Sequence, residues 1–312
     1  MISIYTTDNN GVNEVNELKK ECWINLTNPT IEEIKKVSKE TRTDEDLIVK
    51  LMDTEELPRI EVGNNATLIV VDTPYVTDTR YKHKYNTEPL GIIINNDGYI
   101  ITVSLKQQLI LDDFMENKVK NFDASKKTKF LIQILLRVAG IYQKELMSIN
   151  DYINKKEKIL YKSTDNKELI DLLNVEKTLV YFSTSLKAND VVLEKLSKGN
   201  VVTLYEYDND LMEDAMIENK QAIEMSNIYR EILTSMTDTY ATIISNNLND
   251  VMKFLAGITI VFSIPTMVAS FIGMNVPLGD MGTSPVSFGL IIIFSFVLSI
   301  IIALILKKKN ML

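Results

Sequence analysis

Asn249, Met252, Ala256, Thr259, Ser263, Thr266 and Ser270 follow one another by alternating steps of three and four residues. At about 100° per residue, those steps keep them on one face of a helix. Every hydroxyl side chain between Lys253 and Gly273 falls on this face, while Leu255, Ile258, Ile260, Val261, Phe262, Ile264, Val268 and Phe271 occupy the others. On an apolar helix, small residues and hydroxyls do one of two things. They let a second helix pack closely, or they present oxygen to a hydrated solute. Just beyond comes Phe271-Ile272-Gly273-Met274-Asn275-Val276-Pro277, where Asn275 offers an uncharged amide oxygen. That is a ligand for a hard cation or for the waters around it.

Two elements must position these residues. Residues 251–272 are apolar apart from Lys253 and the small hydroxyls, and residues 286–306 carry no charge at all. As a helix the second segment reaches about 31 Å, the thickness of a bilayer's hydrocarbon core. The pattern predicts two membrane spans joined by a short turn. Lys307, Lys308 and Lys309 abut the second span. An excess of Lys at a span end marks the cytoplasmic side, so both termini are expected there and residues 273–285 outside. A polar stripe on a lipid-embedded helix should face protein or water. Its continuation into Asn249 and its end beside Asn275 favour a water-filled pore over packing alone. One helix cannot enclose a pore, so this reading requires several copies.

The 312-residue chain has a net charge of −8, and the average hides a partition. Residues 251–312 hold four lysines against one aspartate, which leaves −11 on the first 250. An acidic body on a short apolar hairpin is a poor partner for nucleic acid and a collector of cations. Cys22 stands alone, so no internal disulfide can form, and it reads as small core filler. Met1-Ile2-Ser3-Ile4-Tyr5 does not resemble a signal peptide. His83 lies among Arg80, Tyr81, Lys82 and Lys84 and reads as a surface loop residue. There is no phosphate-binding glycine loop, Cys/His cluster or Ser/His/Asp arrangement, so the chain is not read as an enzyme, and transport would be passive.

The first 122 residues read as mixed α/β. Strands are expected at 2–5, 22–26, 66–71, 90–94 and 99–104, with a hairpin turn at Asn95-Asn96-Asp97-Gly98. Thr30, followed by Glu33, predicts the N-cap of a helix, and a second helix is expected over 43–52. Two long helices follow over 124–198, with a break near 162–166. A third runs from Glu206 to Ile264 with one glycine and no proline, which would span roughly 90 Å. So long a helix cannot bury its apolar stripe within one small domain. The organisation is a cytoplasmic α/β domain (1–122), a long-helix stalk region (123–250), a first span (251–272), an external loop (273–285), a second span (286–306) and a basic tail (307–312).

Gly273-Met274-Asn275 at the outer end of the penultimate span, the second span after it and the closing lysines resemble the CorA family of divalent-metal transport proteins. Asn249-Asp250-Val251-Met252-Lys253 and Asp53-Thr54-Glu55-Glu56-Leu57-Pro58-Arg59 carry the same resemblance. It implies a funnel-shaped homopentamer in the cell membrane, with first spans lining the pore and Gly273, Met274 and Asn275 forming an external selectivity ring. Gly273 would let the backbone turn closely there. Met252 and Leu255 would form an apolar constriction, and Ser263 departs from the apolar residue common at its depth. Mg2+ would be both cargo and regulator, with Co2+ and Ni2+ as further cargo. Asp214 matches a regulatory carboxylate of the family, Glu213 could share the role, and Asp53, Glu55 and Glu56 are candidates for its partner across subunits. A zinc-transporting branch of the same fold and a membrane-anchored scaffold are the alternatives.

Overall fold

The computed structural model describes residues 1–8, 11–76, 85–160, 166–274 and 285–311; His83 and Asn275 lie outside them. The chain forms two compact units, residues 1–236 and 237–312.

The first unit is built on seven strands: β1 (Ile2–Asp8), β2 (Gly11–Val15), β3 (Trp23–Thr27), β4 (Arg59–Val62), β5 (Ala66–Val76), β6 (Tyr85–Asn95) and β7 (Ile100–Ser104). Their order is β2-β1-β3-β7-β6-β5-β4. Only β3 and β7 pair in parallel. One face packs on α1 (Ile31–Thr41) and α2 (Glu45–Val49) through Ile24, Leu26, Leu68, Val70, Ile93 and Val103. The other receives α4 (Lys127–Leu160) and α5 (Asn166–Ser197), with the short α3 (Leu109–Met115) against α4. Coverage on both faces explains why the central strands read as continuous apolar runs rather than alternating ones.

Local signals in the first unit hold where side chains close the backbone's own bonds. Thr30 accepts from the Glu33 N–H while Glu33 accepts from the Thr30 N–H, a complete capping box. Gly98 takes a positive φ of 106° in the β6–β7 turn. The helix expected over 43–52 is shorter, starting at Glu45 and ending as a 3-10 turn over Lys50–Met52. Thr43 is not in it, because its buried hydroxyl is engaged by Thr41 and Asn95. β5 and β6 run past their expected ends, through Pro74 and Pro89. There β4 and β7 have already stopped pairing, so a missing N–H costs no ladder bond. β2 and β4 were not expected; both are edge strands with polar residues and little buried surface.

α6 is one helix, Glu206–Ile272, that starts in the first unit and ends in the second. It continues through Pro265 instead of stopping at Ile264. Proline deprives the Val261 carbonyl of its partner, a cost that membrane helices bear readily. α7 (Pro285–Lys308) completes the second unit. Both helices are long and apolar enough to cross a membrane, and only 11% and 17% of their most apolar windows are buried. A core helix of a soluble protein would be mostly covered.

Candidate functional site

The polar stripe and the covered face of α6 lie on opposite sides of the helix. Gly257 and Ile264 are buried, and Val261, Pro265, Val268 and Ile272 are half-buried. These positions share one face. Asn249, Met252, Ala256, Thr259, Ser263, Thr266 and Ser270 are all exposed and centre about 180° away around the helix. α7 has its own covered stripe at Ser295, Ser299 and Leu306. Within this unit the face of α6 that is covered is therefore apolar, and the hydroxyl face is among those left open, beside exposed Leu255, Phe262, Met267 and Phe271.

Each hydroxyl spends its proton inward. Thr259 donates to the Leu255 carbonyl at 2.8 Å, Ser263 to Thr259 at 2.7 Å, Thr266 to Phe262 at 3.3 Å and Ser270 to Thr266 at 2.8 Å. This back-bonding satisfies the donor on the helix itself. What remains on the outer surface is lone pairs, an acceptor row without formal charge.

Leu255, expected at the apolar constriction with Met252, is exposed. It sits on the flank of the stripe, while Met252 sits on it.

Just past the C-terminal end of α6, Gly273 donates its N–H to the Ala269 carbonyl at 2.9 Å and is exposed, as is Met274. Gly273 is not in the left-handed region. A Cβ there would stand 3.3 Å from the Ala269 oxygen, a tight but not forbidden contact.

The acidic candidates are less equal than their sequence suggests. Asp214 and Glu213 are exposed on α6. Glu213 lines a pocket of about 350 Å³ together with Asn209, Met212, Met216 and Lys220. Asp53 accepts from the Glu55 N–H at 2.9 Å, which holds the turn but leaves its other oxygen outward. Glu56, the third candidate on the α/β domain, is ion-paired with Arg59. Among the described residues, no three His, Cys, Asp or Glu side chains come together in one chain. Cys22 is fully buried beside β3, and burial pushes its thiol pKa up.

An α/β body, a long helix whose end is apolar enough to cross a membrane and a second such helix fit the class of membrane proteins. The comparisons are more specific. Residues 19–308 match the family model described as CorA-like Mg2+ transporter protein, and the chain belongs to that family. It is 28% identical over 291 residues to the cobalt/magnesium transport protein CorA of Methanocaldococcus jannaschii, covering 92% of this chain and 90% of that one. The complete structure of the CorA magnesium transporter from the same organism superposes with a TM-score of 0.83 at 26% identity, covering 99% and 96%. The full-length CmaX protein shares the fold at a TM-score of 0.71 and 14% identity, covering 96% of each chain.

Proposed function

We propose that this chain carries Mg2+ across the cell membrane, with Co2+ and Ni2+ as further cargo, through a pore lined by α6 from five copies. The observation that carries this reading is the opposition of the two α6 faces. The apolar side is covered within the chain, and the acceptor side is left for a shared axis. The chemistry matches the cargo. Mg2+ holds its waters tightly, and those waters present hydrogens outward. A row of hydroxyl lone pairs can accept from that shell without stripping it. Uncharged acceptors also create no deep trap, so an ion that enters can leave. Gly273, Met274 and Asn275 would form the outer ring, and Met252, flanked by Leu255, the apolar neck at the cytoplasmic end. Both termini would be cytoplasmic, with 1–122 as the α/β domain, 123–250 as the stalk and 273–285 outside. The stripe holds no His or Cys, which sets a zinc-specialised pore aside.

The test uses the lone, buried, unreactive Cys22 as a silent background. Cysteines placed one at a time at Thr259, Ser263, Thr266 and Ser270 should react with a charged, water-soluble thiol reagent and lose flux in proteoliposomes. Cysteines at Val261, Ile264 and Val268 should stay unlabelled and keep flux. Labelling of the second set, or of neither, would leave the hairpin a mere anchor.

Regulation is assigned to Asp214, bridged by Mg2+ to Asp53 or Glu55 of a neighbouring copy. Carboxylates clustered across a subunit face repel until a divalent ion joins them, so internal Mg2+ would hold the closed state. Asp214→Ala should shift Mg2+-dependent protection from proteolysis to concentrations about tenfold higher, the loss of one charge-assisted contact. An unshifted protection curve would place the regulatory ion elsewhere.

A further inference from the structure

The C-terminal end of α7 carries Lys307, Lys308 and Lys309, all exposed. Two features show what these lysines are not doing. First, they are not needed to cap the helix. Asn310 takes the left-handed conformation at φ 55°, and its N–H donates to the Lys307 carbonyl at 3.1 Å. The Met311 N–H donates to the Leu306 carbonyl at 3.0 Å. This pair of bonds is the Schellman closure, which satisfies the last carbonyls with backbone alone. Second, within the second unit, among the described residues, no carboxylate lies within ion-pair distance of any of the three, whereas Lys253 is held by Asp250 at 3.0 Å.

The cap also fixes their geometry. Three successive residues in the last helical turn point about 100° apart, so the ammonium groups fan around the helix rather than stacking on one side. The uncharged stretch before them matches the hydrocarbon thickness, which puts the fan at the level of the lipid phosphates. Long lysine stems can lie along the apolar helix while their heads reach that plane.

We propose that this fan is a binding surface for the phosphate of anionic glycerophospholipids in the leaflet it faces. The inference needs only that α7 spans the membrane, and it stands apart from the transport reading. Three capped cations at a headgroup plane present their charge to the lipid phosphates there. Each lysine at such a surface strengthens binding by a factor of about five.

Native mass spectrometry of the full chain in detergent, with equal amounts of phosphatidylglycerol and phosphatidylcholine of the same acyl chains, reads the preference directly. Phosphatidylglycerol should be retained at least about tenfold over phosphatidylcholine, and Lys307→Gln/Lys308→Gln/Lys309→Gln should bring the ratio to about one. Lys253→Gln should leave it unchanged. Should the triple glutamine variant fail to assemble, the triple arginine variant and a salt series on the unaltered protein decide instead. Retention by arginine and loss with salt support the surface. Equal binding of the two lipids, or an undiminished preference in the glutamine variant, overturns it. Displacement of the lipid by inorganic phosphate at millimolar concentration would equally overturn the assignment to a lipid headgroup.

Discussion

Replacing Asn275 by alanine is expected to abolish Mg2+ uptake while leaving the protein assembled in the membrane. In the proposed pore the residue would stand at the mouth, since it follows Met274, which lies two residues beyond the end of α6 at Ile272. On the proposed reading its amide oxygen would accept from water strongly polarised by the ion, a charge-assisted bond whose removal costs about 1.5–3 kcal/mol. A ring of copies loses that bond several times over, so flux should fall by more than about a hundredfold. Asn275→Asp makes the complementary point. A ring of carboxylates would bind the ion more tightly and release it more slowly, so block by Co2+ should strengthen while turnover drops. The measurement is growth rescue of a transport-deficient cell at limiting Mg2+, paired with size-exclusion analysis of assembly. Full rescue by an assembled alanine variant would remove the selectivity ring from this reading.

How much of this could be read in the sequence depends on the kind of signal. The stripe from Asn249 to Ser270 was visible because helical spacing in an apolar segment has one interpretation geometrically, and the structure keeps every member on one exposed face. The capping box at Thr30 and the turn at Gly98 were visible for the same reason: each is settled by two or three neighbouring residues. What stayed hidden depends on partners distant in sequence. Nothing near Asp72 or Asn189 in the sequence shows that the two are joined. Nor does the sequence reveal that the opposite face of α6 is the covered one, since Val261, Ile264 and Val268 look no different from Leu255 or Ile260. The inward turn of all four hydroxyl protons is likewise a property of the folded helix. The edge strands β2 and β4 were missed because half-polar segments of four or five residues carry no periodic signal.

The second large effect is expected in the α/β unit, at Asn189. β4 stops pairing with β5 at Val70, which leaves the outward N–H and C=O of Asp72 without a strand beside them. The Asn189 side chain on α5 takes that place. Its carbonyl accepts from the Asp72 N–H and its amide donates to the Asp72 carbonyl, both at 2.9 Å. One buried amide thus stands in for the missing strand and ties helix to sheet. Asn189→Leu keeps the volume and removes both bonds, leaving two backbone groups unpaired in a mostly covered layer at about 1–3 kcal/mol each. A fall of about 5–10 °C in the midpoint should follow. Trp23, the lone tryptophan, reports it, since it is fully buried among Tyr5, Phe114, Phe122 and Phe130 in the same unit. The Asp72 carboxyl beside it has the opposite sign. Burial raises its pKa above the ordinary aspartate value, and the bond donated by Ser185 at 2.5 Å offsets this only in part. The charged form is therefore disfavoured in the folded chain, a cost absent below the unfolded pKa of about 3.9 and growing as pH rises through it. Asp72→Asn should raise the Trp23 midpoint at neutral pH, and the gain should vanish near pH 4. A gain that persisted undiminished into acid would mean that packing, not the buried charge, sets the difference. An unchanged midpoint in Asn189→Leu would mean that water can take the strand's place.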